Sequence, residues 1–256
     1  VTNSLARNGE LSAVDPRPAF DRGPAWSSET VYEVRASEAR LIRVMCSGRV
    51  DPEFVFRAFA KGLDGVFIGG CRLGECNYLT HGNYHALATG YLCKKIMEQI
   101  GLNPERLRIE FMSSGEGIRL AEVTSDFSRQ VKEIGPLGVS EGMDRKELQF
   151  KLESVRRLVP YIKLVERERL RVPEPSEEAY RRFYTSDEFK RLFDALIGDK
   201  LAVSQISLLL AEQPRSTAEI SKILNLNPSD VSRHMSSSSR QGLIRYDEGR
   251  KCYALA

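Results

Sequence analysis

The sequence predicts an α/β chain: an open, flavodoxin-like parallel sheet, then a helical connector, then a winged helix-turn-helix. Three patterns carry this reading. Short β-rich runs alternate with helical periods from about 31 to 133, a charged helical stretch follows, and a helix, short helix, turn, helix and hairpin close the chain. At 256 residues and 41% apolar content the chain has material for more than one core, which excludes a wholly disordered protein. No run approaches the ~20 apolar residues of a membrane span, and Val1-Thr2-Asn3-Ser4 lacks a signal-peptide pattern, so no membrane partner and a cytoplasmic location are expected.

Residues 1–30, with turn formers such as Asn8-Gly9 and Asp15-Pro16, read as a flexible N-terminal arm. Residues 31–137 read as the α/β domain. Leu41-Ile42-Arg43-Val44-Met45 is its first strand, and Asp51 caps a helix with Pro52 at the first helical position. Phe54, Val55, Ala58 and Phe59 recur at helical spacing before Gly62. Gly65-Val66-Phe67-Ile68-Gly69-Gly70 is a buried strand ending at Cys71, and a helix through Leu87, Leu92, Ile96 and Ile100 stops at Gly101. Leu107-Arg108-Ile109-Glu110-Phe111-Met112 is a third strand, followed by a helix from about Gly117 to Ile134. Strands and helices in this order imply right-handed crossovers within one parallel sheet.

Residues 138–186 read as a helical connector in which Pro160 should kink or divide a helix. Residues 187–256 read as the winged helix-turn-helix domain. Ser216-Thr217-Ala218-Glu219 is a capping box, and Asp247-Glu248-Gly249 turns a hairpin. From Lys200 onward there are eight Lys/Arg against five Asp/Glu, so a charge of +3, equal to that of the whole chain, lies on this last segment. Ser229, Ser232, Arg233, Ser236 and Ser237 are candidates for an outward recognition face, with Arg245, Arg250 and Lys251 as a basic wing. DNA is therefore a candidate partner, although Asp230 on that face and the small excess charge favour a docking module.

Cys46, Cys71 and Cys76 carry the strongest chemical signal. Two follow strands whose carboxyl ends share one edge of a parallel sheet, where ligands bind, and Cys76 lies four residues beyond Cys71 across Gly74. Such a trio points to a metal or cluster, and composition does not separate zinc from iron–sulfur. A thiol oxidoreductase using Cys71 and Cys76 is disfavoured by four intervening residues instead of two. Cys93 and Cys252 read as packing residues, and His81 and His85 as polar residues at a helix start. Five cysteines without an export signal fit thiols in a reducing compartment.

Arg43 to Pro52, Gly69 to Tyr78, Gly82-Asn83-Tyr84, Pro104 to Arg108 and Gly115-Glu116-Gly117 resemble the iron–sulfur delta subunit family of methyl-viologen-reducing hydrogenase, over about residues 41–136. The resemblance implies Cys46, Cys71 and Cys76 as ligands of a 2Fe–2S cluster. It also implies a non-catalytic electron-transfer role, between a hydrogenase or formate dehydrogenase module and the flavin-containing A component of heterodisulfide reductase. Such a cluster takes four thiolates, and family members carry an upstream Cys-x-x-Cys that residues 1–45 lack, so the fourth ligand is not found in this chain. A truncated or split N-terminus, with the ligand in an upstream stretch absent from this chain, is the favoured explanation; a partner polypeptide, His81 or His85 as the ligand, or loss of the cluster, are the others. The rival reading is a redox- or metal-responsive DNA-binding transcriptional regulator.

Overall fold

A computed structural model describes residues 2–6, 39–78 and 82–256. The chain divides into two compact units. One comprises Val1–Asp144 with Val172–Tyr184, the other Arg145–Arg171 with Thr185–Ala256. The stretch expected as a connector is thus shared out between both.

In the first unit, β1 (Thr2–Ala6), β2 (Ala39–Arg43), β3 (Val66–Cys71) and β4 (Leu107–Met112) form one sheet in the order β2-β1-β3-β4. β3 and β4 are parallel, placing Cys71 beside Met112, whereas β1 pairs antiparallel with both β2 and β3. The sheet is therefore mixed, which corrects the wholly parallel, flavodoxin-like expectation. β2 and β3 still point the same way, because the strand between them is reversed relative to each. The first residues of the expected N-terminal arm supply that strand, and residues 7–38 lie outside the described part of the chain.

Helices cross over as the periodicity indicated. Asp51 accepts from the Glu53 N–H at the start of α1 (Pro52–Ala60), with Pro52 at its first turn. Phe56, not Phe54, enters the core; Phe54 stays exposed beneath the Arg57 guanidinium. α2 (Asn83–Gln99) buries Leu92, Cys93, Ile96 and Met97 and approaches the sheet at Gly90, where a side chain would meet Ile109. α3 (Gly117–Ile134) lays Phe127 and Val131 on Phe67 and Met112. α5 (Glu177–Tyr184) stacks Tyr184 on Tyr91 and Tyr180 beside Tyr84, both of α2.

The fully buried Arg106 fixes the amino-terminal edge of this sheet. Its guanidinium donates to both Glu141 carboxylate oxygens and to the carbonyls of Asp64, Gly135 and Pro136, so every donor is used. Burial alone would raise the Glu141 pKa, but the Arg106 bonds outweigh it and hold the carboxyl below its ordinary value.

In the second unit, α4 (Arg145–Arg169) runs through Pro160 undivided. Pro160 faces solvent, where water can satisfy the carbonyl it frees, while Leu152, Val155, Val159, Ile162 and Val165 keep the opposite side packed. α6 (Asp187–Phe193) continues through a π-helical turn into α7 (Asp199–Glu212). Next come α8 (Thr217–Leu224), α9 (Pro228–Arg240) and the β5–β6 hairpin (Ile244–Asp247 and Cys252–Leu255). Ser216 and Glu219 form the expected capping box. Ile206, Leu210, Ile220, Val231, Met235 and Ile244 make the core, and Arg215 pairs with Tyr253 as a short third strand of the wing. Among the described residues no helix is long and apolar enough to cross a membrane.

Candidate metal centre

The three expected cysteines do meet. Cys46, three residues beyond β2, is buried and begins a 3-10 turn (Ser47–Arg49); Cys71 ends β3; Cys76 lies in the loop that leads to α2. That loop turns at Gly74, whose φ of +85° favours glycine, with the Glu75 N–H donating to the Arg72 carbonyl. Cys76 interacts with both Cys71 and Cys46, and Cys71 also feels Cys46, so the three thiols share one neighbourhood.

The surroundings treat the thiols unequally. Burial first, then contact with Cys76 and the charge of Cys76 and Cys46, pushes the Cys71 thiol up to about 11. Burial also opposes ionisation of Cys76, but the backbone N–H groups of Tyr78 and Asn83, and then the neighbouring thiols, outweigh it and lower its pKa. Asn83 is the first residue of α2, so the Cys76 sulfur caps a helix N-terminus, where partial positive charge favours a thiolate.

Four features hold this arrangement. The Asn83 amide donates to the Cys71 and Arg72 carbonyls at 3.0 and 2.8 Å and lies 3.6 Å from the Cys71 sulfur. Gly82 leaves room for Cys76: a Cβ there would sit 2.4 Å from its sulfur and 2.3 Å from the Tyr78 carbonyl oxygen. Glu116 accepts from the Ser113 N–H and pairs with Arg72 at 2.8 Å, joining the loops after β3 and β4. Ser47 is fully buried, and its hydroxyl has no partner among the described residues. Leaving a hydroxyl so costs about 1–3 kcal/mol.

Three soft thiol donors, helix-start N–H groups and an uncommitted hydroxyl suit an anionic iron–sulfur group better than a closed zinc site, which wants four N or S donors. Among the described residues no group of three or more His, Cys, Asp or Glu side chains is set to hold a single metal ion. Cys93 is buried within α2 and Cys252 lies in β6, so neither joins the three thiols. His85 is half-buried on α2, and His81 lies outside the described residues. The positions of Ser47, Asn83 and Gly82 beside the thiols have no signal in the sequence beyond a place inside motifs that resemble the hydrogenase family.

Residues 26–135 match the family described as methyl-viologen-reducing hydrogenase, delta subunit. The iron-sulfur D subunit of the F420-non-reducing hydrogenase of Archaeoglobus profundus is 45% identical over 97 residues, which cover 38% of this chain and 70% of that protein. The chain belongs to this delta-subunit family. The vhc iron-sulfur D subunit of an F420-non-reducing hydrogenase of Methanococcus voltae is 39% identical, with 40% of this chain and 70% of that protein covered. The A subunit of the Ferredoxin/F(420)H(2)-dependent CoB-CoM heterodisulfide reductase of Methanosarcina acetivorans is 46% identical over 99 residues, which cover 39% of this chain but only 12% of that one. Residues 199–246 match the family described as bacterial regulatory protein, arsR family, in agreement with the winged helix.

In that winged helix Ser229, Ser232 and Ser236 are exposed on α9, and Ser237 is half-buried. Arg233 is exposed, yet both its terminal nitrogens are held by Asp199 at 3.1 and 3.2 Å, and one also meets Asp230. A base contact by Arg233 would compete with these exposed ion pairs. Arg245, Arg250 and Lys251 are exposed, and no side-chain ion pair engages them among the described residues.

Proposed function

We propose that this chain is an electron-transfer protein in which Cys46, Cys71 and Cys76 hold a 2Fe–2S cluster, as one component of a larger complex. The carrying observation is the convergence of three thiols with helix-start N–H groups at one sheet edge. When bound, the cluster would supply reversible one-electron storage; the chain supplies ligands, burial and hydrogen bonds and needs no catalytic acid, base or nucleophile. Asn83 orients the Cys71 loop, Gly82 admits the Cys76 sulfur, and the Arg72–Glu116 pair braces the rim. Within this chain the candidates for a fourth ligand are His81 and His85, and a partner polypeptide is the alternative. Free cysteines fit a reducing, cytoplasmic setting.

By family resemblance the acceptor is a heterodisulfide-reductase-A-like flavoprotein, and the donor a hydrogenase or formate dehydrogenase module. Support for the acceptor is that the A subunit of one heterodisulfide reductase carries a segment 46% identical to this region. The test is anaerobic flavin bleaching after the reduced, cluster-loaded chain is mixed with such a flavoprotein. Bleaching that requires Cys71 supports the reading; equal bleaching with the Cys71→Ser chain contradicts it.

The winged helix is read as a docking module of the complex, because Arg233 is engaged by Asp199 and Asp230. A second reading, a redox-responsive DNA-binding regulator, is favoured only by the unpaired wing cations Arg245, Arg250 and Lys251. Duplex binding that falls steeply with salt would support it.

A further inference from the structure

Two other buried hydroxyls of the chain are committed. The Ser154 hydroxyl donates to the Lys151 carbonyl, and the Thr124 hydroxyl to that of Leu120. Ser47 is as deeply buried as Ser154, at 0% exposed, yet among the described residues its Oγ has no partner. Its position is specific. It follows Cys46 directly and packs against the glycine that precedes Cys71, so that a Cβ on Gly70 would stand 2.9 Å from its Oγ. The hydroxyl therefore lies between the two chain segments that carry Cys46 and Cys71. The Asn83 amide reaches the Cys71 sulfur at 3.6 Å and donates to the Cys71 and Arg72 carbonyls, so its bonds fall on the Cys71 side of the site alone. A buried polar group is kept where it gains a partner in the working state, and the acceptors this site would gain are the sulfurs of an anionic cluster.

We propose that the Ser47 hydroxyl is a hydrogen-bond donor to the cluster or its ligand sulfurs and raises the reduction potential. This rests on the reading that Cys46, Cys71 and Cys76 hold an iron–sulfur cluster. The added electron makes the cluster and its sulfurs more negative, and a donor stabilises the reduced form more than the oxidised one. Ser47 is thus a positioning residue for charge, not a ligand. The metal-free chain has no use for its hydroxyl, so removal there leaves no broken bond behind.

The test compares the wild-type chain and Ser47→Ala, each loaded anaerobically with iron and sulfide, by mediated redox titration and by EPR in light and heavy water. Melting of the metal-free chains is measured beside them. The expected result has four parts: equal iron content, metal-free melting unchanged or raised, loss of an exchangeable-proton coupling, and a lower potential. A tenfold fall in the reduced-to-oxidised ratio at the wild-type midpoint corresponds to about 59 mV for one electron. An unchanged potential, a persisting coupling, or a metal-free chain that melts lower would each overturn the proposal, the last by giving the hydroxyl a purely structural role. If Ser47→Ala alone loses iron, Ser47 is a ligand and the proposal is wrong. If the wild-type chain itself takes up no cluster, the underlying reading fails as well, and the two failures are told apart by the wild-type iron content.

Discussion

Gly82→Ala should damage the cysteine site without altering a single candidate ligand. A methyl carbon at this position would lie 2.4 Å from the Cys76 sulfur and 2.3 Å from the Tyr78 carbonyl oxygen. Ordinary contacts of this kind sit near ~3.5–4.0 Å, so one or both neighbours must retreat by about 1 Å. The Tyr78 oxygen belongs to the backbone, so the relief falls on the Cys76 loop. Overpacking of this size costs about 1–3 kcal/mol, a modest fraction of a folded domain's stability. A binding constellation, in contrast, tolerates only ~0.5 Å of misplacement. Iron uptake should therefore collapse while the fold survives. The assay is anaerobic iron and sulfide content beside thermal melting, with Gly115→Ala as control, since a side chain there would meet nothing within 4 Å. Full cluster loading in Gly82→Ala, with an unchanged spectrum, would refute the placement of the Cys76 sulfur.

Arg106→Lys should destabilise the first unit by about 2–5 kcal/mol in chemical unfolding, because three point-like donors cannot replace five forked ones buried against Glu141 and three carbonyls. Stability should also fall in acid. The Glu141 carboxyl has a lowered pKa in the folded chain, so its contribution is complete above the unfolded value of about 4.3 and is lost as pH drops through the folded value. Unfolding measured across that window in Glu141→Gln should show a shallower acid limb, and an identical limb would refute the assignment. Charge reversal of the wing, as Arg250→Glu with Lys251→Glu, should leave cluster loading and melting unchanged because neither side chain is paired. A loss of iron in that variant would contradict the separation of the two functions.

Local chemistry was legible wherever one residue type does one job. Asp51-Pro52, Ser216 with Glu219, and the glycines at 62 and 101 announced helix ends, and α3 begins and ends where its pattern indicated. The cysteine trio was legible because strand direction alone brings Cys46 and Cys71 to one edge, and β2 and β3 do run the same way. What was hidden depends on partners distant in sequence. Thr2-Asn3-Ser4 looks like a turn-rich arm, and only pairing on both sides makes it a strand. Phe54 and Phe56 are equally apolar, so packing rather than composition selects Phe56. Arg106 reads as a surface cation until Glu141, 35 residues away, meets it. Arg233 reads as a free recognition residue until Asp199, from α7, claims it. Ser47 and Asn83 have no periodic signature at all, because one is set by packing against Gly70 and the other by bonds to Cys71 and Arg72, all distant in sequence.

The most direct measurement is EPR of the anaerobically loaded, dithionite-reduced chain with iron and sulfide counted on the same sample. The account predicts a paramagnetic signal from a cluster of about two irons, lost when Cys46, Cys71 or Cys76 is changed to Ser. A reduced sample that stays silent with its partner chains present, or a signal that survives all three substitutions, would contradict it.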